Sequence, residues 1–142
     1  FSPMQVEHVF FYGTLMQGFA LRQRVQLDAL LKYVGRGVVM GQLFDLGRYP
    51  GLVCGDGQVF GELYRILEND TLLTRTDSVE GYKVRDLTAS EYRRVLRPVR
   101  VEDGMAVEAW VYLYNLSVGA APRIVGGDYR RYVDKLSVKS DR

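Results

Sequence analysis

Two pairs of alternating segments, each tied by a turn of aspartate and glycine, limit this chain to folds built on antiparallel hairpins. In the first pair, Leu52-Val53-Cys54 precedes the turn Gly55-Asp56-Gly57, and Gln58 to Leu67 follows it. Along that second limb Val59, Gly61, Leu63 and Arg65 face opposite to Phe60, Glu62, Tyr64 and Ile66. The second pair, Glu91 to Val101 and Met105 to Asn115, is joined by Glu102-Asp103-Gly104. Pro98 marks the first limb as an edge or a bulge, and the apolar run Ala109 to Tyr114 marks the second as central.

The remaining elements fall around these hairpins. Val9, Phe10 and Phe11 form a short strand that Gly13 breaks, and Phe19 to Tyr33 carries leucines and Val25 at spacings of three and four, which predicts an amphipathic helix ending near Gly35. Val38 to Leu46 reads as a strand and Gly47 to Gly51 as a loop. Asn69 or Asp70 caps a short helix that ends at Gly81, and a last helix runs from about Arg130 to Leu136. The order β, α, β, β, α, β, β, α predicts an α+β fold: a small curved mixed β-sheet or β-barrel flanked by helices, with strand glycines helping it bend. Residues 4–142 read as a single domain, and Phe1-Ser2-Pro3 as a remnant ahead of a natural start at Met4.

Composition removes several classes of function. One cysteine, Cys54, and one histidine, His8, exclude an internal disulfide and a Cys/His zinc cluster, and suit a reducing, cytoplasmic setting. A Ser-His-Asp triad would have to use His8, which starts a strand and suits an edge role better. No apolar run reaches the length of a membrane span, and no targeting pattern opens the chain. Arg93, Arg94, Arg97 and Arg100 cluster, as do Arg130, Arg131, Lys135, Lys139 and Arg142. With a net charge of +2 and no nucleic-acid motif, these read as solvated faces rather than a nucleic-acid surface. No P-loop or dinucleotide fingerprint is present.

Two stretches carry chemistry. Tyr12-Gly13-Thr14-Leu15 turns the chain at the end of a buried strand, which leaves backbone N–H groups free to meet an oxygen-bearing ligand. In Asp77-Ser78-Val79-Glu80-Gly81-Tyr82, Glu80 sits at a helix C-terminus, where a carboxylate costs roughly 0.3 to 1 kcal/mol. Taken alone, Glu80 could be an ordinary helix-end carboxylate bonded to an arginine. Asp77 reads as a support for the helix, Glu62 as a strand carboxylate opposite an arginine, and Cys54 as inert. Tyr112 and Tyr114 alternate with Val111 and Leu113, so one of them points inward.

With Tyr49-Pro50-Gly51, Gly61-Glu62-Leu63-Tyr64 and Gly127-Asp128-Tyr129-Arg130, these stretches make five ordered matches from Val9 to about Tyr132. In that pattern the chain resembles the gamma-glutamylcyclotransferase-like family, in particular its AIG2-like branch. Tyr129 stands where tryptophan is common in the family. The resemblance implies a small barrel without metal or organic cofactor. It also implies release of an amine or amino acid from a small-molecule gamma-glutamyl substrate, with formation of 5-oxoproline. Glu80 becomes the catalytic base, the N–H groups of Tyr12, Gly13, Thr14 and Leu15 a cradle for substrate oxygen, and Tyr49, Pro50 and Tyr112 the cavity wall. A carboxylate of ordinary pKa taking a proton from an α-ammonium near 8 would face about 5 kcal/mol. Glu80 is therefore expected to be partly buried and to face the turn. The alternative is a noncatalytic or regulatory small-molecule-binding protein that keeps the cavity. Nothing in the chain encodes the leaving group or the oligomeric state, and neither nucleic acid nor membrane is an expected partner.

Overall fold

The computed structural model describes residues 6–140, with side chains as far as residue 136. The remnant proposed at Phe1 to Pro3, together with the side chains of Lys139 and Arg142, lies outside them. Among the described residues, strands β1 (His8–Phe11), β2 (Leu31–Asp45), β3 (Pro50–Ile66), β4 (Tyr92–Val101) and β5 (Ala106–Tyr114) close into a barrel in the order β1-β3-β2-β4-β5. Helices α1 (Ala20–Val25), α2 (Asn69–Val79) and α3 (Tyr129–Ser140) accompany it. All pairings are antiparallel except the β1–β5 closure, where Val9 lies opposite Trp110. The sheet is therefore mixed, and the fold is α+β as the element order predicts. Val9, Phe10, Val59, Leu63, Val99 and Val111 fill the inside and are almost wholly shielded from water.

Three details differ from the sequence reading. Gly55-Asp56-Gly57 is not the hairpin turn. Met40 pairs with Gln58 and Gln42 with Val53, so residues 54–57 loop out of one continuous strand as a wide bulge. Leu52 and Val59, on either side of it, are both core residues, which obliges both limbs to pair with β2. The true turn lies at Leu46 to Tyr49, where the Leu46 N–H donates to the Tyr49 carbonyl at 3.1 Å and the Gly47 N–H to Asp45 Oδ1 at 2.8 Å.

The first helix is also shorter than its leucine spacing suggests. Gln26 adopts a φ of +59° and ends α1, a 3-10 turn covers Asp28–Leu30, and Leu31 to Tyr33 already belong to β2. Of the leucines at helical spacing, Leu21 lies on α1 and is partly buried, while Leu27, Leu30 and Leu31 are buried in the core beyond the helix, with Leu31 paired to Ile66 and Tyr33 to Tyr64. Finally, neither Asn69 nor Asp70 caps α2. Glu68 holds the N-cap position without a side-chain cap, its carbonyl accepts the Leu72 N–H, and Asn69 is already the first helical residue.

Pro98 sits where β4 is paired with β5, while β4 meets β2 only at Val101 and Arg100. Its missing N–H therefore removes no second ladder bond.

Candidate active site

The turn after β1 is fixed from three sides. The Tyr12 hydroxyl donates to the Tyr112 carbonyl at 2.7 Å and accepts from the Leu52 N–H at 3.2 Å, tying the turn to β5 and β3. Arg22, buried on α1, donates to the Leu15 carbonyl at 3.0 Å and to Asp28 Oδ1 at 2.9 Å. Further on, Glu62 accepts the Gln17 N–H at 2.9 Å and the Tyr64 hydroxyl at 2.7 Å, and Arg130 donates both to Glu62 and to the Gln17 carbonyl. Glu62 thus has the arginine partner expected of it, and the Gly127 to Arg130 segment serves to hold this loop. A Tyr12→Phe variant leaves the buried Leu52 N–H and Tyr112 carbonyl short of a partner. Urea unfolding should show a loss of about 1–3 kcal/mol.

The result is a rigid cradle. Among the described residues, no acceptor meets the N–H groups of Gly13, Thr14 or Leu15. A side chain at residue 13 would press on the Pro50 ring, with a Cβ only 2.7 Å from Pro50 Cγ, so glycine is what allows the loop from the β2–β3 turn to close over the cradle. Pro50 is held in turn by Tyr92, whose hydroxyl donates to its carbonyl at 2.7 Å. Tyr49 packs against Tyr92 with ring centroids 6.0 Å apart.

Opposite lies the end of α2. The Glu80 N–H donates to the Thr76 carbonyl at 2.9 Å, and Gly81 then turns the chain out of the helix with a φ of +65°. The last turn is bolted to the barrel by Asp77. Its carboxylate accepts Arg94 Nε at 2.9 Å, Arg94 Nη2 at 3.3 Å and the Tyr112 hydroxyl at 2.6 Å. Arg94 lies over the Trp110 ring at 4.3 Å and faces Tyr82 at 5.6 Å. Asp77 is therefore the structural support the sequence suggests.

Tyr12, Gly13, Thr14, Leu15, Tyr49, Pro50 and Glu80 line one cavity of about 50 Å³ that opens to solvent. Tyr112 does not line it. That side chain is turned into the packing between β5 and α2, where its hydroxyl meets Asp77 and Thr76 and burial pushes its pKa up. The inward position of the Tyr112/Tyr114 pair is a core position, not a cavity wall. Glu91 and Tyr92 also line it, beside the apolar Phe10, Phe11, Leu21 and Val79, and no motif in the sequence points to either of them. Their place depends on the loop 81–91 closing on itself, through the Glu91 N–H donating to the Gly81 carbonyl at 3.0 Å, and no spacing rule announces that closure.

The site is electrostatically one-sided. The residues that line it include two carboxylates, Glu80 and Glu91, and no lysine, arginine or histidine. Among the described residues, neither carboxylate forms a salt bridge. Burial, then the charges of Glu91 and Asp77, push the Glu80 carboxyl up from 4.5 to about 8. Tyr49, whose hydroxyl interacts with the Glu91 carboxylate, is pushed up to about 12. Among the described residues, no group of three or more His, Cys, Asp or Glu side chains is arranged to hold a metal ion. Among the described residues, no helix is long and apolar enough to cross a membrane.

The closed five-stranded barrel thus carries one pocket with the unclaimed N–H groups of the first turn at one side and the Glu80 carboxyl at the other. The family model described as gamma-glutamyl cyclotransferase, AIG2-like, matches residues 9–131, and the chain belongs to that family. A protein of Methanocaldococcus jannaschii, provisionally named a gamma-glutamylcyclotransferase, is 28% identical over 130 residues, covering 89% of this chain and 98% of its own. An AIG2-like protein from Mus musculus superimposes with a TM-score of 0.61 at 28% identity, over 78% of each chain. An uncharacterized protein from Pyrococcus horikoshii shares the fold, with a TM-score of 0.68 at 24% identity over 92% of this chain and 96% of its own.

Proposed function

We propose that this protein is a cofactor-free cyclotransferase that releases an amine or amino acid from a gamma-glutamyl compound and forms 5-oxoproline, with Glu80 as general base. The observation that carries the reading is that the Glu80 carboxyl, without a salt-bridge partner among the described residues, lines one pocket with unclaimed N–H groups; burial there raises it to about 8.

The chemistry follows from that pairing. Ionised Glu80 takes one proton from the substrate α-ammonium, the neutral α-amino nitrogen attacks its own γ-carbonyl carbon, and Glu80 relays the second proton, displaced by the new C–N bond, to the departing nitrogen. Charge gathering on the carbonyl oxygen is met by the N–H groups of Gly13 to Leu15. The old C–N bond breaks as the departing nitrogen receives that second proton, leaving 5-oxoproline and a free amine or amino acid. No water, oxidant or reductant is consumed. A carboxyl near 8 facing an ammonium near 8 removes almost all of the roughly 5 kcal/mol gap that an ordinary glutamate would face.

Size adds a constraint. A cavity of roughly 150 Å³ holds benzene, so a space of about 50 Å³ takes only one end of a gamma-glutamyl group, and the leaving amine lies in the mouth. The single cysteine, Cys54, fits a cytoplasmic setting for this activity.

Incubation with a panel of gamma-glutamyl amines and amino acids should yield 5-oxoproline and the free amine in equal amounts from at least one member. Binding of such compounds without any 5-oxoproline would favour the alternative, a regulatory small-molecule-binding protein.

A further inference from the structure

Glu91 is the one charged group of the pocket that the mechanism leaves without a task. It stands immediately before β4 with its backbone fixed at both ends: its N–H donates to the Gly81 carbonyl at 3.0 Å, and its carbonyl accepts the Asn115 N–H at 2.8 Å. The loop between Glu80 and Glu91 is closed from within as well. Ser90, fully buried, accepts the Lys83 N–H at 2.7 Å and donates to carbonyls of that loop. Two carboxylates eleven positions apart are thereby delivered to one cavity by a loop that cannot readily separate them.

The other acid near Glu80 provides a contrast. Asp77 has its charge matched by the two bonds from Arg94. Glu91 has no such partner among the described residues, and the side chain that it acts on most directly, raising its pKa, is Tyr49 on the facing turn. A carboxylate left uncompensated in a half-buried pocket is costly unless a cation arrives to meet it. Resting on the cyclotransferase reading above, the cation the site is built to receive is the ammonium of the substrate.

We propose that Glu91 is a positioning residue of this pocket, which draws the substrate α-ammonium between itself and Glu80 and keeps the Glu80 carboxyl poised to exchange a proton with it. The titratable groups around this pair are Asp77 from α2, Tyr12 from the first turn, Tyr49 from the β2–β3 turn and Tyr92 from β4, with Tyr112 of β5 behind Asp77 and Tyr114 of β5 beside Tyr49. All of the tyrosines among them whose titration departs from the ordinary are pushed upward, so they stay neutral near pH 8. Glu91 is then the strongest charge acting on Glu80, ahead of the neutralised Asp77.

Two readouts of Glu91→Gln test this, with Glu91→Asp as the conservative variant and Glu102→Gln, on the exposed β4–β5 turn, as the control. The first needs no activity: titration of the Glu80 carboxyl carbon by isotope-edited NMR. Glu91→Gln should lower its midpoint by about one pH unit, Glu91→Asp by less, and Glu102→Gln not at all. The second is kinetic, on whichever gamma-glutamyl compound the panel identifies: KM should rise about tenfold or more in Glu91→Gln, with partial return in Glu91→Asp. An unmoved Glu80 midpoint, or an unchanged KM alongside measurable turnover, overturns the proposal. If the panel yields no 5-oxoproline from wild type, the cyclotransferase reading fails by itself, and the NMR titration still decides whether Glu91 governs Glu80.

Discussion

Replacing Glu80 by glutamine should lower 5-oxoproline formation by about 10²- to 10⁴-fold, the usual worth of a positioned general base. The shape of the side chain is kept and only its ability to take a proton is lost. Calorimetry with the gamma-glutamyl compound should still register binding, because the cradle of N–H groups and the walls formed by Tyr49 and Pro50 are untouched. The expected pattern is therefore a collapse of kcat with KM changed much less. A variant that turns over normally would remove Glu80 from the chemistry, whatever the pocket binds.

The same substitution should make the protein more stable in alkali, and the direction follows from linkage. The Glu80 carboxyl is raised from 4.5 to about 8 on folding. Below pH 4.5 it is protonated in both folded and unfolded chains and costs nothing. Between pH 4.5 and 8 the unfolded chain has released the proton and the folded one still holds it, so stability falls as pH rises. Above 8 the penalty is complete. Taken at face value, the shift is about 5 kcal/mol, and solvent at the cavity mouth reduces it to about 2–4 kcal/mol. Glu80→Gln cannot carry this penalty. In urea unfolding it should match wild type at pH 4 and exceed it by about 2–4 kcal/mol at pH 9. Equal stability at both pH values would mean that Glu80 is solvated and ordinary.

Both effects express one arrangement, in which a charge is kept where it is uncomfortable. The helix end, the burial and the neighbouring Glu91 each work against ionisation of Glu80, and Asp77 bonded to Arg94 keeps the helix end from moving away. A site relaxed by a nearby arginine would be more stable and a weaker proton acceptor from an ammonium.

The parts of this arrangement were unequally visible in the amino-acid order. The turn at Tyr12 to Leu15 and the carboxylate at Glu80 both stand at the ends of elements, where a glycine and a change of periodicity reveal them, so each could be located before the barrel was known. That they face each other is a consequence of barrel closure, which brings β1 beside both β3 and β5. Glu91 shows in the sequence only as the start of a strand, because a loop's internal closure at Gly81 leaves no periodic trace. The bulge at residues 54–57 has the sequence of a hairpin turn for a related reason. Glycine and aspartate signal that the chain departs from the ladder, and only the burial of Leu52 and Val59 tells whether it returns to the same strand. Leu30 and Leu31 suit a helix stripe and a barrel floor equally, so spacing alone placed the end of α1 too late. Tyr112 alternates as an inward residue should, but alternation does not separate a cavity from a packed interior, and the short bond to Asp77 does.

The most direct test of the central claim is a crystal structure of Glu80→Gln, which should not turn over its ligand, with a gamma-glutamyl compound bound. The account predicts the α-amino nitrogen within about 3 Å of the side-chain oxygen of residue 80, with the γ-carbonyl oxygen at the N–H groups of Gly13 to Leu15. A ligand seated elsewhere, or held in this pocket with its amine turned away from residue 80, would contradict it.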